Sequence, residues 1–160
     1  MTGRLVAIYT AEAGGGPMDA YDEIGAIAGA GLAGDRYASK TGAFSEREGR
    51  GRQVTLIARE AIAAANEKGV TIAEHETRRN LVTEGVDLRA LIGKTFAVGD
   101  AVLTGVRDCP PCAYLEELTR PGVKDALEGG GGLRAEVLRA GTLRVGDEIA
   151  EIAEVTADAV

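Results

Sequence analysis

The sequence predicts a mainly β fold, closed as a barrel and flanked by a few short peripheral helices, and three observations predict it. Short β-branched and apolar runs recur about seven times along the chain, with turn chemistry between them. Glycine supplies 23 of the 160 residues, about twice the usual share of roughly 7%, and is spread along the chain as turns between short strands. One segment alone, residues 58–68, has firm helical spacing.

Taken in order, residues 4–10 (RLVAIYT) read as a first strand, broken by the glycines and proline of residues 14–17. Residues 18–28 are weakly apolar and fit either a second strand or a loop crossing. GAGLAGDRY follows, in which Gly29, Gly31 and Gly34 satisfy GxGxxG. A dinucleotide fingerprint also needs a helix opening on the third glycine and an acid about 20 residues on. Neither is read here, so these are turn glycines, with Asp35 and Arg36 as a buried pair supporting a site. Residues 38–51 form a polar loop carrying Phe44, of the length that lids and binding loops have, and a solvated loop without a role fits it equally. Arg47, Arg50 and Arg52 cluster at its end.

Residues 53–57 (QVTLI) are a strand, and residues 58–68 a helix ended by Gly69. In residues 74–82 (EHETRRNLV), His75 is a surface or supporting residue and Arg79 a solvated charge. Arg78 and Asn80 alternate, so on a strand they share one face, where a guanidinium and an amide suit an oxyanion. Residues 95–98 and 101–106 are strands about a Gly99-Asp100 turn. A short helix begins at Pro121. Residues 133–138 alternate as a strand, with Arg134 on the polar side. Gly141 and Gly146-Asp147 mark turns, and residues 148–155 close the chain.

The stretch TGVRDCPPCAYLEEL, residues 104–118, holds both cysteines, Cys109 and Cys112, and two of the four prolines. A strand precedes it, and Tyr114, Leu115 and Leu118 recur at helical spacing, which puts Cys112 near a helix N-terminus. Unpaired N–H groups and the positive end of a helix dipole stabilise a thiolate over a thiol, the form that acts as nucleophile or soft-metal ligand. The competing readings are a small buried hydrophobe, which suits Cys109 better than Cys112, half of a zinc site, and a redox dithiol. Zinc wants two further ligands at comparable spacing, and His75 is the lone further soft donor. A thioredoxin-like dithiol wants a βαβ context that the flanks do not provide.

A chain of 160 residues reads as a single domain, residues 1–160, burying about 70% of its unfolded surface. A net charge of −7 and 4% aromatic residues argue against nucleic acid as a partner. The apolar run at residues 5–9 is too short for a signal sequence or a span, so the expectation is a cytoplasmic protein with no membrane association.

GLAGDRY, RQVTLI, TRRNLVTEGVDL, the strand-end CPPC, GGLRAEVL and LRVGDEI occur together and in order. With them the chain resembles a stand-alone MOSC domain, the module also found at the C-terminus of molybdenum cofactor sulfurases and in amidoxime-reducing molybdenum proteins. The resemblance runs from about residue 4 to about residue 152. It implies a β-barrel of the MOSC type, and it implies that the functional cysteine is Cys112, which ligates molybdenum in members that carry the cofactor and is proposed to carry a persulfide in others. Arg78 and Asn80 match the family's Arg-x-Asn, and Asp35 and Arg36 its GDR. The sequence departs from the family's larger members in having neither the N-terminal barrel module of amidoxime reducers nor a pyridoxal-phosphate desulfurase domain.

Three functions follow as expectations. In the first the chain binds molybdenum cofactor (molybdopterin), with the pterin phosphate on Arg36 and Arg78 beside Asn80 and Asp35, molybdenum on Cys112, and reduction of N-hydroxylated small molecules as the reaction. In the second it is a sulfur carrier or sulfurtransferase, Cys112 accepting persulfide sulfur from a separate cysteine desulfurase. In the third it is a binding module without catalysis. A reductase is a further partner expected for the first.

Overall fold

The computed structural model describes residues 2–39 and 51–153. Of the loop read at residues 38–51, Phe44, Arg47 and Arg50 lie outside the described residues.

Strand β1 (Thr2–Thr10) pairs with β2 (Asp19–Tyr21), and β3 (Glu23–Ile27) turns into the two-residue β4 (Gly31–Leu32) and the single helical turn α1 (Arg36–Ser39). Then come β5 (Val54–Ala58), α2 (Arg59–Glu67), a 3-10 turn (Glu74–Thr77), β6 (Leu81–Glu84) and a second 3-10 turn (Leu88–Leu91). The hairpin β7 (Thr95–Val98) and β8 (Ala101–Asp108) leads to α3 (Ala113–Leu118) and α4 (Val123–Ala126). The chain finishes with β9 (Leu133–Arg139), β10 (Gly141–Arg144) and β11 (Glu148–Glu151).

Seven strands close the barrel in the order β11-β7-β8-β9-β5-β6-β1, and β1 pairs back onto β11 with Gly3 opposite Ile149. β2 extends β1, and β10-β3-β4 form a separate small sheet. Closure leaves no unpaired barrel edge. All barrel pairs are antiparallel except β5 with β6, where Leu56 faces Leu81. A parallel pair needs a crossover, and α2 supplies it.

Alternation along the strands sends Leu5, Leu56, Leu81, Phe96, Leu103, Leu133 and Ile149 inward, and all are essentially sealed. The second set of buried side chains faces outward from β5 and β6. Ile57 and Val82 pack there against Ile62 and Ala65 of α2, Leu115 of α3 and Val123 of α4. Burying each such side chain contributes about 1.5–3 kcal/mol, which fixes α3 at the barrel wall and with it the segment leading into it.

Two stretches differ from the sequence reading. Residues 18–28 hold two strands, β2 and β3, split at Asp22. Gly141, read as a turn, opens β10, which pairs with β3, Leu143 opposite Ile24; the buried Leu143 is the apolar side of a pattern too short to stand out. Among the described residues no helix is long and apolar enough to cross a membrane.

Candidate functional site

β8 ends at Asp108, and five residues later α3 begins, with Cys112 as its N-cap in extended conformation (φ −133°, ψ 170°). Two prolines make this passage stiff, because the residue before a proline is held out of the helical region and both Cys109 and Pro110 precede one. Cys109 is 1% exposed and its N–H donates to the carbonyl of Gly132 at 2.8 Å. Cys112 is half-buried and makes no capping hydrogen bond. Neither cysteine is in a disulfide.

The loop is gripped from behind. A Cβ on Gly131 would lie 2.5 Å from the carbonyl oxygen of Cys109 and 2.5 Å from Cδ of Pro111, so this close approach requires glycine. Arg79, read from the sequence as a solvated charge, is buried. It donates Nε to Gly131 O (2.7 Å), Nη1 to Thr77 O (3.3 Å), and Nη2 to Cys109 O (3.0 Å) and Pro110 O (3.3 Å). Its charge is met by carbonyl dipoles from three segments.

Arg78 and Asn80 do not share a strand face as the alternation suggested. The 3-10 turn ends at Arg78, which lies in the left-handed region (φ 60°, ψ 22°), and β6 begins at Leu81. A side chain with Cβ pays of order 1–2 kcal/mol for that conformation. The outcome is that Arg78 is half-buried while Asn80 is sealed in the barrel wall. Asn80 is 0% exposed, and its Oδ1 accepts from Thr55 N–H at 3.0 Å while its Nδ2 donates to Tyr9 O at 3.1 Å. It stitches β1, β5 and the start of β6 together, and it does not line the recess described below.

Asp35 and Arg36 form a buried pair at 3.0 Å. The carboxylate also accepts from the N–H groups of Ala11 (3.0 Å) and Tyr37 (3.3 Å). Arg36 in turn donates Nη2 to the backbone carbonyl of Arg78 at 2.9 Å, and its guanidinium lies 4.6 Å from the Tyr37 ring centroid. Arg78 is therefore held by its own backbone and, through Nη1, by Gly16 O at 2.6 Å. Burial, followed by the Arg36 guanidinium beside it, pushes Arg78 below the ordinary arginine pKa.

These parts meet at one small recess, partly open to solvent, lined by Gly14, Gly15, Arg36, Tyr37, Arg78, Arg79, Pro110, Cys112, Tyr114, Leu115 and Arg134. Among these lining residues none is acidic. Arg134, which the strand pattern put on the polar side of β9, is 9% exposed, and sequence reasoning missed it along with Arg79. What covers it is a contact from far along the chain: Gly51 packs so closely that a Cβ there would lie 3.1 Å from that of Arg134, which the alternation of β9 alone does not announce. A shallower groove adjoins, sharing Gly15 and Arg78 and bordered by exposed His75. Among the described residues no group of three or more His, Cys, Asp or Glu is placed to hold a metal.

Barrel and recess together define a class: a closed β-barrel that presents one accessible thiol, at the end of a strand, to a cationic hollow. The family model of the MOSC domain matches residues 44–150, and the chain belongs to the MOSC domain family, which is associated with molybdenum cofactor binding. Among solved structures, the chain is similar to the YuaD protein from Bacillus subtilis (TM-score 0.78, 22% identity, 96% of this chain and 98% of that one). It is also similar to YiiM from Geobacillus stearothermophilus (0.72, 14%, 96% and 76%) and YiiM from Escherichia coli (0.67, 20%, 99% and 75%). At these identities the likeness is one of fold. No curated protein matches the sequence.

Proposed function

We propose that this chain binds molybdenum cofactor in the arginine-lined recess. The observation that carries the reading is that the half-buried Cys112 shares that recess with Arg78, whose Nη2 is buried and has no hydrogen-bond partner among the described residues. The donor set fits the group. A thiolate is a soft donor of the kind molybdenum takes, and an unspent guanidinium N–H suits a phosphate oxygen. Cys112 would be the protein's ligand to the metal and Arg78 would hold the pterin phosphate. Asp35 and Arg36 fix Arg78, and Arg79 fixes the loop that carries Cys112. Bound there, the cofactor would supply two-electron redox chemistry at molybdenum, of the kind that reduces N-hydroxylated compounds.

The test is metal analysis of protein purified from a cofactor-producing host. The wild-type chain should carry molybdenum and Cys112→Ser should not. Molybdenum near zero in wild-type protein with an intact Cys112 thiol would reject the reading.

A second reading is favoured by the freedom of Cys112 from any capping bond or disulfide. As a sulfur carrier, its thiolate attacks the outer sulfur of a persulfide on a separate cysteine desulfurase, the inner thiolate leaves, and Cys112 carries the new persulfide. Mass spectrometry after incubation with a desulfurase and cysteine should show one added sulfur, absent from Cys112→Ser.

A further inference from the structure

Four guanidinium groups line the recess, and they are not equivalent. Arg79 spends its donors on four backbone carbonyls, and Arg36 is paired with Asp35 and bonded to the backbone of Arg78. Two remain with donors unspent. Nη2 of Arg78 and both Nε and Nη1 of Arg134 are buried with no partner among the described residues. Buried donors left without an acceptor are rare and costly in native proteins, and here they come from two separate elements, the left-handed bend at Arg78 and barrel strand β9, onto one hollow.

We propose that Arg134 and Arg78 together form an oxyanion cradle for a doubly charged phosphate group, and that Arg36 is a positioning residue which does not itself bind the anion. This rests on the reading of the recess as the ligand site and changes which residues hold the anion. Two cations with open donors match a dianion in charge. Donors arriving from two walls suit a tetrahedral group, whose oxygens point in several directions, better than a planar carboxylate, which one guanidinium fork satisfies. Arg134 enters from a strand pinned on both sides, opposite Thr55 of β5 and Arg107 of β8, so the cradle is preformed and little ordering remains to be done on binding.

The cradle predicts an unusual pairing of effects. Removing a residue that only supports the fold lowers stability. Removing a buried cation that waits for a ligand leaves the empty protein as stable or more so and abolishes the ligand's effect.

The experiment uses full-length protein from a host that makes no molybdenum cofactor, titrated with inorganic phosphate while melting temperature and heat of binding are followed, with chloride at matched ionic strength as control. Phosphate should bind wild-type protein and raise its melting temperature. Arg134→Gln and Arg134→Met should weaken binding at least about tenfold, the loss expected when a charged hydrogen-bonding partner worth about 1.4 kcal/mol or more is removed, without lowering the melting temperature of the empty protein. Arg4→Gln, which breaks an exposed pair with Glu84, should bind phosphate as wild type does. Arg36→Gln should lower the melting temperature, because Asp35 and the Arg78 carbonyl lose their donor.

Phosphate affinity unchanged in folded Arg134→Gln, or a melting temperature that falls in Arg134→Met while the phosphate response persists, overturns the proposal, as does wild-type protein that ignores phosphate. Protein from a cofactor-producing host separates the source of the phosphate. Loss of the phosphate response there assigns the cradle to the cofactor's own phosphate, and a retained response assigns it to a separate phosphorylated ligand. Because the titration involves no molybdenum, phosphate binding that depends on Arg134 in protein that never loads metal upholds the cradle and rejects the cofactor reading alone.

Discussion

Nη2 of Arg79 donates to the carbonyl oxygen of Cys109 at 3.0 Å, so the position of the cysteine loop is set by an arginine thirty residues earlier in the chain. The same guanidinium holds Gly131 O at 2.7 Å and Pro110 O at 3.3 Å. Arg79→Ala strands these buried carbonyls, and the loss of such a network costs about 2–4 kcal/mol. Arg79→Lys should recover little of it, since an ammonium cannot reproduce a planar fork reaching three segments. Urea denaturation measures both, and an Arg79→Lys protein as stable as wild type would show that the charge alone suffices.

The two cysteines should part company in solution. Cys109 is 1% exposed, behind Pro110 and the Gly131–Gly132 strand entry, whereas Cys112 faces the recess. Alkylation of native protein should modify Cys112 and leave Cys109 until the chain unfolds. Peptide mapping decides it: label on Cys109 in the folded protein would mean that the loop opens.

Asn80 is expected to act on stability and not on ligand affinity. Its amide is consumed by Thr55 N–H and Tyr9 O, and Asn80→Ala leaves both without partners in the barrel wall, a cost of about 2–3 kcal/mol. Phosphate titration of the folded variant should match wild type. A variant of normal stability that no longer binds would make Asn80 a ligand contact after all.

These assignments show what the sequence could disclose. The barrel was legible because its signals are local: short apolar runs, turn glycines, and an amphipathic helix at 59–67 ended by Gly69. The strand-to-helix setting of Cys112 was legible for the same reason. The arginines were not. Whether Arg78 follows strand alternation depends on one left-handed residue, whether Arg79 is solvated depends on the Gly131 contact with the Cys109 loop, which joins residues twenty-two apart, and Arg134 is met by Gly51 from far earlier in the chain. Alternation assigns a face, and only the tertiary fold decides whether that face meets water. The buried pairing of Asp35 with Arg36 was legible, being between neighbours in sequence, but the hydrogen bond by which Arg36 holds the backbone of Arg78 was not.

One ion pair at the rim of the adjoining groove should give stability a recognisable acid dependence. Glu76 accepts from Nη1 and Nη2 of Arg120 at 3.2 and 2.6 Å, and from the N–H of Ala73 at 3.0 Å. The hydrogen bond from Arg120, then that from Ala73, hold its carboxyl below the usual carboxylate range despite the opposing effect of burial. The unfolded chain therefore takes up this proton at a higher pH than the folded protein does, and protonation favours unfolding. The stabilising contribution is complete above the usual carboxylate range and is lost as the pH falls through the lower value of the folded protein. Glu76→Gln keeps the shape of the side chain and removes the titration. Other carboxylates titrate in both proteins and cancel in the comparison, so the difference in urea midpoint between wild type and Glu76→Gln should be steady from neutral pH down to the carboxylate range and shrink below it. A difference that holds its size or widens under acid would mean that the Arg120 contact contributes nothing through charge.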